Sequence, residues 1–259
     1  MSAPYATQVA VLARRSIVRT LRQPLYVVPS IVFPLMLLAV NSSGLSSATG
    51  LPGFPADSYL DFALGFAFVQ GALFTTSNAG TELARDIQTG FLSRLSLTPI
   101  RGTALLAGHL AGAVLLGLLQ SIVYLLVGLA AGVHLEAGVA GAFVLLALAL
   151  LIATGFGALG AALALRTGTG EAIQASFPLF FAFLFLSSMN MPRNLMEVDW
   201  FRTIATYNPA SYLIEGLRSL VIAGWDGRAL ALGFGVAGGI LVVGLAAATI
   251  ALRGRLART

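Results

Sequence analysis

The chain reads as an all-α, polytopic membrane protein with six spanning helices. Three observations carry this. Apolar residues make up 58% of the 259 residues and charged residues only 10%, against about 25% charge in an ordinary soluble domain. The mean hydropathy is +0.90. The apolar residues also fall into runs of about 20, the length that crosses a hydrocarbon core of about 30 Å.

The elements follow in chain order. The opening segment, MSAPYATQVAVLARRSIVRTLRQP, is not expected to be a signal peptide. Its arginines follow an apolar stretch too short to span, and the first long apolar run begins after Pro24. Residues 4–22 instead predict an amphipathic interfacial helix, with Val9, Leu12, Ile17 and Leu21 sharing a face and the arginines clustered elsewhere. Spans are predicted at 25–42 (with Pro29 and Pro34 inside), 59–81, 103–132, 138–165, 172–190 and 229–252. Prolines within a span are tolerated where neighbouring helices satisfy the freed backbone. Glycine and alanine pairs four apart (Gly108 with Gly112, Gly128 with Gly132, Gly157 with Ala161, Gly235 with Gly239) suit close helix packing within one subunit.

Arginine placement orients the chain. Arg14, Arg15, Arg19, Arg22, Arg85, Arg94, Arg101, Arg166, Arg253, Arg255 and Arg258 fall on one side; Arg193, Arg202, Arg218 and Arg228 fall on the other. The arginine-rich side is predicted to be cytoplasmic, with both termini inside. Trp200, Tyr207, Tyr212 and Trp225 then form an outer interfacial belt.

Composition also excludes chemistry. Cysteine is absent, so disulfides and thiolate metal sites are excluded. Every basic residue is arginine. A Walker A site needs its lysine on the phosphates, so ATP, if it drives this protein, binds another chain. His109 and His134 stand apart from any ligand cluster, and no metal site, nucleophile elbow or zincin motif is predicted. The net charge of +5 is accounted for by arginines flanking the spans, without nucleic acid. Span interiors offer no convincing buried charge for an ion path. Glu171 reads as a helix N-terminal acid, favoured there by the dipole.

Two segments differ from generic spans. In ELARDIQTGFLSRLSLTPIRG, residues 82–102, alternating charges Glu82, Arg85 and Asp86 lead into a short helix at 87–97. Phe91, Leu92 and Leu95 share its apolar face, expected to be exposed and suited to a groove on a partner. In YNPASYLIEGLR, residues 207–218, Asn208 is a good N-cap and Pro209 suits the first helical position. Glu215 and Arg218, three apart, are expected to pair. With the turn at Pro192, residues 191–228 predict an outer helical hairpin before the last span.

These segments give the chain its resemblance to the ABC-2 type transporter permeases, the membrane subunits of ABC exporters, and within them to the daunorubicin-resistance type. The residues that carry it are Arg85-Asp86, Thr89-Gly90, Leu92, Leu95 and Thr98-Pro99 on one side, and Asn208-Pro209 with Glu215-Gly216-Leu217-Arg218 on the other. Gln88 departs from the glutamate usual there, and Ser187-Ser188-Met189-Asn190 from the usual Ser-Gly. The resemblance implies a single transmembrane domain over 1–259 in a bacterial inner membrane. It implies two permease copies, paired as a homodimer, on two cytoplasmic ABC ATPase subunits that hold ATP and Mg. Residues 4–22 would be the connecting helix. Asp86, Gln88, Thr89, Gly90, Phe91, Leu92, Arg94 and Leu95 would couple to the ATPase, and Glu82, Arg85 and Asp86 would pair with Arg14, Arg15 or Arg19. The second and fifth spans would line a substrate cavity, with Phe66, Phe74, Phe177, Phe180, Phe181 and Met189 offered to a drug, lipid or glycolipid. The chain itself would not be an enzyme. An autonomous carrier, a scramblase or a non-transporting assembly factor stays open as the alternative.

Overall fold

The computed structural model describes residues 4–256. Within them the regular elements are ten α-helices and two short 3-10 turns. In order these are α1 (Tyr5–Leu21), α2 (Pro24–Gly44), α3 (Tyr59–Gln88), α4 (Phe91–Ser96), α5 (Gly102–Ala130), α6 (Gly138–Thr167), α7 (Gly170–Phe185), α8 (Asp199–Tyr207), α9 (Pro209–Ile222) and α10 (Gly227–Leu256). Five of them, α2, α3, α5, α6 and α10, are long and apolar enough to cross a membrane.

The predicted sixth span, 172–190, is cut short. Helix α7 has 16 residues, about 24 Å at 1.5 Å per residue, which falls short of the hydrocarbon thickness of about 30 Å. Hydrogen bonds from near and far in the chain end it. Ser187 Oγ donates to the Leu184 carbonyl, and the Ser188 N–H donates to Ser211 Oγ at 3.0 Å. The chain then turns through α8 and climbs back through α9. The N–H groups of Glu136 and Ala137, in the α5–α6 turn, donate to the Val221 and Leu220 carbonyls at the end of α9.

Helix α3 is the axis of the bundle and is largely buried, whereas α2 and α10 are largely exposed. It packs against α2, α5, α6, α7 and α9. The contact with α6 is backbone on backbone: a Cβ at Gly160 would sit 2.1 Å from the Thr76 carbonyl oxygen.

In α2, Pro34 has no N–H to give the Ser30 carbonyl four residues earlier. That carbonyl accepts instead from the Tyr124 hydroxyl and, at 3.4 Å, from Gln120 Nε2, both on α5. Space for the tyrosine comes from Gly71, where a Cβ would lie 2.7 Å from its hydroxyl oxygen.

Helix α1 docks on α5 by small polar residues, with Leu12 of the predicted apolar face partly buried beside them. Its buried residues are Gln8, Ser16 and Thr20, while Val11 and Leu21 are exposed. The reason is steric. Gly108 and Gly112 open a groove so shallow that added Cβ atoms would lie 2.3 Å from Leu12 Cβ and 2.5 Å from Ser16 Oγ. Small polar residues fit that approach, and Ser16 Oγ donates to the His109 carbonyl at 2.8 Å. Gly157 packs on Ala113, whereas Gly235 and Gly239 have nothing within 4 Å.

One end of the bundle thus gathers α1, α4 and the ends of α6 and α10, where Arg255 Nε donates to the Leu165 carbonyl. Arg258 lies outside the described residues.

Candidate functional site

At that end, Asp86 on the last turn of α3 closes a three-part clamp. Its Oδ1 accepts from Arg15 Nη2 at 2.7 Å and from Arg19 Nη1 at 2.6 Å; its Oδ2 accepts from Arg15 Nη1 at 2.8 Å. Arg15 and Arg19 are four apart on α1 and therefore share a face, and the Arg15 pairing is bidentate, the strong geometry for guanidinium and carboxylate. The hydrogen bond to Asp86 holds the Arg15 guanidinium above its ordinary value. Arg15 also lies over the Phe91 ring of α4, 3.8 Å from its centroid. One carboxylate thereby ties α1, α3 and α4 together. Glu82, one turn earlier, lines the same small pocket with Ser16, Leu92 and His109. His109 Nε2 meets the Ala79 carbonyl at 3.0 Å. Arg14 and Arg85 are exposed and form no ion pair among the described residues.

The α3–α4 turn is made at Gly90, whose φ of +69° favours glycine. Thr89 Oγ1 donates back to the Arg85 carbonyl at 2.9 Å. Here the structure corrects the sequence reading. The apolar face of α4 turns inward, with Leu92 only 4% exposed among Leu83, Leu105, Leu106 and Ile173. Leu95 is partly buried against the same cluster. The apolar ends of α3 and α5 lie within reach of so short a helix and take its leucines first. What projects outward is Gln88, Thr89, Arg94 and above all Leu97, which is 87% exposed.

Along α3 and α7 runs a connected aromatic row. Phe74 meets Phe177 at 5.1 Å between centroids, Phe177 meets Phe181 at 5.8 Å, and Phe181 meets Phe185 at 5.2 Å. Phe33 of α2 joins it, 5.8 Å from Phe74 and 6.0 Å from Phe181. Phe180 packs partly buried on the main core. Phe66 and Met189 do not belong to this face: both are buried in the chain's own core at 0% and 1% exposure. Helical periodicity alone did not separate them from Phe74, since α3 is wrapped on several sides. Below the row, Asn78, Thr81 and Glu82 face Thr20, Gln23 and Tyr26. Asn78 Nδ2 and Thr81 Oγ1 are buried there without a hydrogen-bond partner. The face is therefore aromatic in one half and polar in the other.

At the opposite end, Asn208 serves two helices. Its Oδ1 accepts from the Ala210 N–H at 2.9 Å, capping α9, with Pro209 at the first helical position. Its Nδ2 donates to the Phe183 and Leu186 carbonyls at 2.7 and 2.9 Å, satisfying the end of α7. The expected Glu215–Arg218 pair is not formed. Glu215 pairs with Arg193, whose guanidinium lies over the Tyr212 ring at 4.8 Å. Arg218, 4% exposed, donates from Nε to the Phe62 carbonyl at 2.7 Å and from Nη2 to the Ser188 and Met189 carbonyls. Carbonyls freed by the turn after α7 outcompete a neighbouring acid that already has its own partner.

The pattern of the ABC-2 type transporter family matches residues 7–222, from α1 to the end of α9. The chain belongs to that family. Its relatives include the daunorubicin resistance ABC transporter permease protein DrrB1 of Streptomyces coeruleorubidus, 29% identical over 202 residues, which are 76% of this chain and 68% of that protein. Another is the putative transport permease ycf38 of Cyanophora paradoxa, 27% identical over 219 residues, 83% of this chain and 74% of that one. An ABC-2 type permease is the membrane subunit of a transporter, and its several apolar helices make this chain a multi-pass membrane protein.

Proposed function

We infer that this permease is the membrane half of an ABC exporter. Two copies dock on two separate ATPase subunits that carry ATP and Mg, and move a hydrophobic or amphipathic molecule outward by alternating access. The observation that carries the reading is the Asp86 clamp. It joins the interfacial helix α1, the central span α3 and the short helix α4 into one unit at the arginine-rich end, so a push on α4 is transmitted directly to the axis of the bundle. That end is cytoplasmic in this reading, since ten of the fourteen arginines among the described residues belong to it. The contact with the ATPase is made by the outward edge of α4, Arg94 and Leu97, while Phe91, Leu92 and Leu95 anchor that edge to the permease. The face along α2, α3 and α7 receives the substrate, its aromatic row taking an apolar body and Asn78, Thr81 and Glu82 a polar group.

The test is co-purification. The tagged permease is co-expressed with an ABC ATPase encoded beside it, and retained ATPase is measured for the native chain and for Leu97→Asp. Retention by the native chain that is lost in Leu97→Asp, with the permease still folded, is the expected result. No retention by the native chain in mild detergent would sink the reading in favour of an autonomous membrane protein.

A further inference from the structure

At the end of the bundle opposite the clamp lies a cavity of about 450 Å³, within the range of 300–1,000 Å³ typical of small-molecule sites. Gly53, Phe62, Arg193, Glu215, Arg218 and Asp226 are among its lining residues. Its charges are not equivalent. Arg193 and Glu215 already neutralise each other. Asp226 accepts through Oδ1 from the Arg228 and Ala229 N–H groups and so caps α10. Arg218 forms no ion pair among the described residues. Its Nε and Nη2 are held by carbonyls, and its ring contact with Phe62, 3.4 Å to the centroid, fixes the plane of the fork. No hydrogen bond among the described residues occupies Nη1. A guanidinium stays charged in proteins, and a buried charge without a counter-ion is costly. The protein thus places a fixed, desolvated cation in the lining of an open cavity.

We propose that this cavity binds the phosphate of an amphipath's headgroup, with Arg218 as its counter-ion. Guanidinium matches phosphate oxygens geometrically. The carboxylates of Glu215 and Asp226 also line the cavity, so with Arg193 and Arg218 the lining is neutral overall and suits a zwitterionic headgroup. The location on the outer face rests on the orientation proposed above; the binding itself does not.

The experiment titrates the purified permease in detergent with dihexanoyl phosphatidylethanolamine, with dihexanoylglycerol and with inorganic phosphate, reading heat of binding. Ala223→Glu places a carboxylate on the cavity rim at an exposed position; Arg218→Gln removes the cation. Because Arg218→Gln also loses three hydrogen bonds to carbonyls, Ala223→Glu decides where the former does not fold. The expected result is binding of the phospholipid, none of the glycerol, and weakening of at least about tenfold in Ala223→Glu, the loss of roughly one charge-assisted contact. Equal binding of dihexanoylglycerol, or unchanged affinity in Ala223→Glu, overturns the site. Equal affinity for inorganic phosphate overturns the headgroup as its source. ATPase retention on the same preparation is read separately, so either idea can fail alone.

Discussion

Asp86 holds two arginines with two oxygens, so Asp86→Asn removes the charge while keeping the shape. Hydrogen bonds to a charged group contribute about 1.5–3 kcal/mol where they are shielded from water, and the half-exposed Arg15 places this pair at the low end. The expected outcome is a folded permease with ATPase still bound but substrate-stimulated hydrolysis reduced. Rescue by Asp86→Glu, which restores the charge between Arg15 and Arg19, would show that pairing is the cause, and an Asp86→Glu variant no better than Asp86→Asn would refute it. Tyr124→Phe leaves the Ser30 carbonyl without its hydroxyl donor beside Pro34, at a cost of about 1–3 kcal/mol; a lowered melting temperature in detergent checks it. Asn208→Asp keeps the α9 cap but sets a carboxylate against the Phe183 and Leu186 carbonyls. It is expected to destabilise more than Asn208→Ser, which keeps an N-capping oxygen without that repulsion.

Among the elements, the glycine groove on α5 decides where α1 lies. Gly112→Val inserts branched carbon where Ser16 and Thr20 already sit within 2.7 Å of a Cβ. It is expected to lift α1 from α5. A cysteine at position 16 reports the release through faster thiol labelling, in a background with no native cysteine to confuse it; unchanged labelling would mean the groove is not what holds the helix. This element also shows what the sequence carried and what it hid. The helices themselves were legible, because twenty-residue apolar runs, Gly90 and Asn208-Pro209 are local signals. The faces were not. Hydropathy marked an apolar face on α1 and an outward one on α4; packing seated α1 by Gln8, Ser16 and Thr20 beside Leu12 and turned the leucines of α4 inward. Two glycines ninety residues from α1, and the leucines of α3 and α5 around Leu92, are non-local facts that no periodicity within one helix contains. The stop of α7 at Phe185 was hidden likewise, since its deciding donor, Asn208, lies more than twenty residues on.

For the whole molecule, the topology proposed above takes α2, α3, α5, α6 and α10 as spans and α7 with the α8–α9 hairpin as one further crossing, which would bring both described ends to the same face. Cysteines at Thr98 and Gly132 are accordingly expected to label from opposite sides of intact cells or sealed vesicles; labelling of both from one side would break the topology. The Asp86 clamp also has a bearing on how the protein is made. Arg15 and Arg19 leave the ribosome about seventy residues before Asp86, and the groove on α5 follows later still. At a synthesis rate of roughly 5–20 residues per second, the first helix waits on the order of several seconds for its partners. During that interval its arginines have only lipid headgroups as counter-ions. Helix α1 therefore emerges well before its seat exists, and the anionic lipid at the insertion site acts as a temporary stand-in for an aspartate not yet translated.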